Sequence, residues 1–133
     1  MTNLLDTLRA TVGPAHVLAE GDLTAWEQDW RRRARGKALA VVRPGSTAEV
    51  AAVVRACAQA GTSIVPQGGN TGLSVGSTPD ASGTQVVLSL TRMNAVRAID
   101  RDNLTDGSRS DRSLQGGNWR AGLVYAFTDD LSR

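Results

Sequence analysis

Pro66-Gln67-Gly68-Gly69-Asn70-Thr71-Gly72-Leu73-Ser74-Val75-Gly76-Ser77 follows directly on the short apolar run Ser63-Ile64-Val65. That run reads as a strand ending at Pro66, so the glycine-rich stretch is launched from a strand end. Glycines at 68, 69, 72 and 76 remove Cβ atoms where a backbone must come close to another group or take φ > 0. Successive N–H groups in such a turn can converge on an anion without any basic side chain. Thr71 and Ser77 can add hydroxyls, and a diphosphate fits this description. A phosphate loop of the Walker type needs a Gly-Lys-Ser/Thr step, and no lysine occurs here. A dinucleotide fingerprint wants Gly-x-Gly-x-x-Gly opening a long helix; the glycine spacing differs and Pro79 blocks such a helix. On spacing alone a glycine-rich surface turn with no ligand stays open beside the anion site.

The flanking sequence supplies the elements that would carry this loop. Leu4, Leu5 and Leu8 share a helical face, which predicts a helix over residues 3–11 ended by Gly13-Pro14. Trp26 and Trp30 stand at i, i+4 and suggest a turn or two of helix. Ala38 to Arg43 is a buried strand closed by Pro44-Gly45. Ser46-Thr47-Ala48-Glu49 matches a capping box, and Val50, Val53, Val54 and Cys57 continue at helical spacing until Gly61 stops the helix. Cys57 therefore falls on an apolar stripe, where a buried thiol is expected and not a nucleophile. Gln85 to Leu90 reads as a strand covered on both faces, and Val96 to Asp100 as a fourth strand. The order strand, helix, strand, loop, strand, strand predicts an α+β fold and not a regular doubly wound sheet.

Composition excludes several functions. The 133 residues carry a net charge of +2, with 41% hydrophobic and 21% charged residues, as an ordinary globular domain does. Arg31, Arg32, Arg33 and Arg35 with Lys37 form the one basic cluster, read as a solvated face; nucleic-acid binding is not expected from it. One cysteine rules out an internal disulfide and a cysteine-only zinc site, one histidine, His16, makes histidine-rich metal sites and a serine–histidine–aspartate centre hard to build, and no metal is expected. No apolar run is long enough to span a membrane and no secretory signal opens the chain, so the expected location is cytoplasmic.

Three blocks taken together carry a family resemblance: Val41-Val42-Arg43-Pro44-Gly45-Ser46-Thr47-Ala48-Glu49-Val50, then Ile64 to Leu73, then Leu88-Ser89-Leu90-Thr91-Arg92-Met93-Asn94. In this order they resemble the PCMH-type FAD-binding domain of FAD-linked 2-hydroxyacid dehydrogenases, of the D-lactate, glycolate and D-2-hydroxyglutarate types. Asp29-Trp30 with the arginines after it and Gly36 also matches that group. The resemblance implies the N-terminal subdomain of that fold, incomplete: residues 1–37 a helical lead-in, 38–105 part of the FAD-binding domain. It further implies FAD as cofactor, gripped at its diphosphate by Pro66, Gln67, Gly68, Gly69, Asn70, Thr71, Gly72, Leu73, Gly76 and Ser77, mainly through main-chain N–H groups. Covalent members attach the flavin through a histidine in this loop; Asn70 stands nearest that position, which implies non-covalent binding. Ser74-Val75 departs from the family's usual Val-Gly-Gly.

The resemblance fades after residue 105. Residues 106–133 match neither the family's continuing strand nor its substrate-binding cap, and they are expected to be an aberrant tail read out of frame. A diverged but genuine tail is the alternative. The expected function is the FAD-binding part of an oxidoreductase acting on a 2-hydroxy acid, inactive by itself, with no catalytic residue to assign and marginal stability and flavin retention. The alternatives are a small non-catalytic nucleotide- or anion-binding module, and a piece that assembles with a separately encoded remainder.

Overall fold

A computed structural model of the chain describes residues 3–96. The chain divides into two units, Met1–Asn94 and Ala95–Arg133, and the architecture that follows is that of the first. The strand expected over Val96 to Asp100 and the aberrant tail at 106–133 lie outside the described residues, Val96 excepted, which belongs to no element and is exposed.

Helix α1, Leu4–Val12, starts where Asn3 Oδ1 accepts from Leu5 N at 3.4 Å and buries Leu8 and Val12. A 3-10 turn, Pro14–His16, leads into a two-residue strand β1, Val17–Leu18. One turn of helix, α2, spans Thr24–Glu27. Strand β2 is Ala38–Val42, helix α3 Thr47–Gln59, strand β3 Ile64–Gln67 and strand β4 Gln85–Ser89. Ser46 Oγ accepts from Glu49 N at 3.2 Å, as the capping box predicts. Glu49 differs in its return contact: its Oε2 accepts from Gly45 N at 2.8 Å, one residue earlier than the box requires. At the other end Gly61 takes φ +64, a left-handed conformation that costs an L side chain but not glycine.

The strands form one mixed sheet in the order β1-β2-β4-β3. β2, β4 and β3 run parallel, and β1 pairs antiparallel with β2. Strand β4 thus inserts between the two strands joined by the α3 crossover. Pro66, which has no N–H to donate, stands in β3, the edge of the sheet among the described residues, where that is tolerated.

Alternation along the strands, shifted in β2 by a register irregularity between Ala38 and Ala40, splits the core in two. Ala40, Val42, Val86 and Leu88 face α1 and α3 and pack with Leu8, Val12, Val53 and Cys57. Val41, Val87 and Ala38 face the other way, with Leu23 and Val65, and Leu18 and Trp26 at the margin. Strand β4 contributes to both clusters, as expected of a strand covered on both faces. The helical stripe of α3 is narrower than its sequence suggests. Val53 and Cys57 are fully buried while Val54 is 43% exposed, because α3 presents only one side to α1 and the sheet.

Candidate functional site

Two adjacent parallel strands, β3 and β4, must be joined by a segment that travels back the length of the sheet, and residues 68–84 do so without a helix. Their first half begins at the carboxyl end of β3, the end of a parallel sheet where ligands bind. A hollow of about 370 Å³ opens there, lined by Pro66, Gly68, Gly69, Asn70, Thr71, Gly72, Ser74, Gly76 and Ser77. Eight of the ten residues expected at the site therefore surround one concavity. Gln67 and Leu73 do not line it: Gln67 is buried and Leu73 is 60% exposed. Ser74 lines it although its place in the sequence signals only a departure from the family pattern.

Among the described residues, no backbone N–H from Gly68 through Ser77 donates to a protein acceptor. Most of these residues are exposed, so the loop that borders the hollow carries a run of strong donors not spent on internal turns. The four glycines do not adopt the conformation that usually explains glycine. None of Gly68, Gly69, Gly72 and Gly76 has positive φ; the left-handed positions of this loop are Asn70 (φ +53) and Val75 (φ +64). A Cβ on Gly68 or Gly76 would meet nothing within 4 Å, and one on Gly69 or Gly72 would make only ordinary contacts, at 3.8 and 3.9 Å. Of the two roles expected of these glycines, a positive φ is excluded and close approach of another group is left. Nothing in the chain itself requires them.

Side chains with polar groups are used to hold this ribbon. Gln67 Nε2 donates to Trp26 O at 2.9 Å and to Ser77 O at 2.8 Å. Asn70 Nδ2 donates to Gln28 O at 2.8 Å and Ala25 O at 3.3 Å, while Ser77 Oγ donates to Asn70 Oδ1 at 3.0 Å. The amide side chains of Gln67 and Asn70 are thus committed to the protein. No acidic or basic residue occurs from Pro66 through Ser77, so the donors on offer are neutral dipoles.

A protein-family profile described as an FAD binding domain matches residues 38–105, just over half of the chain. The chain belongs to the FAD-binding domain family. FAD is the family's cofactor, and the matched span contains the whole hollow. The chain is 37% identical over 107 residues to a D-2-hydroxyglutarate dehydrogenase of Xanthomonas citri, covering 78% of this chain and 22% of that one. It is 36% identical over 100 residues to the quinone-dependent D-lactate dehydrogenase of Escherichia coli, covering 73% and 18%. Among solved structures, alkyldihydroxyacetonephosphate synthase superposes with a TM-score of 0.61 at 20% identity over 76% of this chain and 21% of that one. This likeness bears out the incomplete PCMH-type fold with mixed helix and sheet. The chain spans about a fifth of the length of the relatives it matches.

The other side chains singled out in this FAD-binding domain have structural surroundings. Cys57 is fully buried on α3, and burial pushes its thiol upward from the ordinary value, so it stays protonated at neutral pH. His16 is half-buried with its Nδ1 unpaired, and its carbonyl accepts from Arg43 N at 2.9 Å. The expected helix through Trp26 and Trp30 stops at Glu27 because the chain turns around Asp29. This nearly buried carboxylate accepts from Arg33 N and Ala34 N, both at 2.7 Å, and from Arg31 N at 3.1 Å. The turn leaves Trp30 65% exposed and Arg31, Arg32 and Arg33 on the surface; Arg35 pairs with Glu27 at 3.6 Å. Among the described residues no helix is long and apolar enough to cross a membrane, and no three potential metal ligands cluster.

Proposed function

We propose that this FAD-binding domain grips the diphosphate of FAD with the main-chain N–H groups of residues 68–77, non-covalently, on behalf of an oxidoreductase acting on a 2-hydroxy acid. One observation carries the reading. Four glycines leave open space and a run of N–H groups leaves open donors at the same hollow, and neither serves the chain's own packing. Both suit the close approach of an anionic group, whose charge a nest of oriented N–H dipoles can hold without a lysine. Thr71 offers a hydroxyl from the wall, while the Ser77 hydroxyl is already donated to Asn70 Oδ1. Gln67 and Asn70 act through position, their side chains being occupied, and the absence of histidine, cysteine and tyrosine from the loop fits non-covalent attachment.

Bound FAD supplies acceptance of a hydride from the substrate's α-carbon, and the protein supplies binding and orientation. The hydroxy acid is inferred from what the relatives are named for.

Titration of the purified chain tests this. Weak but saturable FAD binding is expected, with a Kd between about 1 μM and about 1 mM. ADP should compete and riboflavin, which lacks the diphosphate, should not. Absence of saturable FAD binding would sink the proposal. Equal affinity for FAD, ADP and inorganic pyrophosphate would favour a general anion-binding module instead.

A further inference from the structure

Helix α2 is a single turn, too short to be stable alone, and its last carbonyls have no partner inside the helix. The glycine loop and its surroundings satisfy them in turn. Ala25 O accepts from Asn70 Nδ2, Trp26 O from Gln67 Nε2, Glu27 O from Gly36 N at 2.9 Å, and Gln28 O again from Asn70 Nδ2. The loop for its part has almost no internal main-chain bonding, Thr78 N to Val75 O at 3.0 Å closing its far end. Two segments without conformational stability of their own therefore fix one another through two amide side chains.

We infer that residues 24–36, outside the span that defines the family, are a working part of the flavin site: a strut whose carbonyls set the curvature of the diphosphate ribbon, with Gln67 and Asn70 as positioning residues. This rests on the flavin reading above. Gln67 separates positioning from contact most cleanly, since it is 2% exposed and does not line the hollow. Any effect of its side chain on flavin affinity must pass through Trp26 O and Ser77 O. It holds the entry and the exit of the ribbon at once, because Ser77 lies at the ribbon's far end.

The test compares Gln67→Met, which keeps the length and removes both donated bonds, with Val53→Ala, a core truncation on α3 remote from the loop. In the folded fraction of each, Gln67→Met should raise the Kd for FAD by about tenfold or more, the loss of about one strong hydrogen-bonded arrangement. Val53→Ala should lower the melting temperature yet leave the Kd within about twofold of wild type. Equal Kd values for Gln67→Met and wild type overturn the strut, as does an equal rise in both variants. If Gln67→Met does not fold, wild-type NMR decides: FAD should slow exchange of the Gln67 and Asn70 side-chain amide protons, and unchanged exchange overturns the inference. If wild type binds no FAD, the flavin reading fails. The strut then stands or falls on whether those amide protons exchange more slowly than those of the exposed Gln59.

Discussion

Glycine serves two opposite purposes in this chain, and substitution tells them apart. At Gly68 a Cβ would enter empty space and the backbone is not left-handed. Gly68→Ala should therefore leave the ligand-free protein as stable as wild type or more stable by about 0.4–1 kcal/mol, from a less flexible unfolded chain. FAD affinity should fall at least about tenfold, because the methyl group occupies the approach to the donors. Thermal denaturation and flavin titration of the same sample check both halves; a destabilised protein with normal affinity would contradict the reading. Gly36 is the reverse case. A Cβ there would collide with the carbonyl of Pro79, beside the 2.7 Å bond from Lys37 N to Asp80 O. Backbone cannot move aside as a flexible side chain can, so Gly36→Ala should cost about 1–3 kcal/mol of stability. Urea unfolding would detect it as a lower midpoint.

Helix α3 shows what an element's own sequence can specify. Its start at Ser46 and its stop at Gly61 are local chemistry, and both are where sequence reasoning places them. Ser46→Ala should lower stability by about 1 kcal/mol through the lost bond to Glu49 N, measurable in the same unfolding experiment. The strands Ala38–Val42, Ile64–Gln67 and Gln85–Ser89 were legible for the same reason, since each is an apolar run with a turn signal at its end. Strand β1 was not. Two residues hold no periodicity, and Val17–Leu18 is a strand only because Val41 and Val42 lie opposite. The insertion of β4 between β2 and β3 is likewise a long-range pairing that no local pattern encodes. At the site, the ribbon could be read from its glycines. The roles of Gln67 and Asn70 could not, because the α2 carbonyls they bind lie some forty residues earlier in the chain.

At the scale of the described unit, the two faces of the sheet are held in different ways. One is covered by helices and an apolar cluster, with Leu8, Val53 and Cys57 fully buried. The other packs Val41 and Val87 with Leu23, Val65 and Trp26, and the segments 19–37 and 68–84 that frame the hollow take their shape in part from carboxylates bonded to main-chain N–H groups. Asp29 is held below the usual carboxylate range by the N–H groups of Ala34, Arg31 and Arg33, outweighing a contrary push from burial. Asp22 is lowered by the hydroxyl and N–H of Thr24, and Asp80 by the hydroxyl and N–H of Ser82. A carboxyl with a depressed folded-state pKa stabilises fully above its unfolded value, about 3.9, and loses that contribution as pH falls through the lower folded value. Stability from these groups should therefore hold from neutrality to about pH 4 and drop below it, loosening the segments that frame the site. Asp29→Asn isolates the effect. It should be less stable than wild type at pH 7, where the carboxylate accepts three N–H bonds, and the difference should narrow at an acid pH below about 3.9, as the wild-type group is protonated on passing through its lowered folded-state value. Tryptophan fluorescence during urea unfolding at the two pH values gives the comparison, and a difference that stays constant between them would show that the carboxylate charge at Asp29 is not what braces the turn beneath the ribbon.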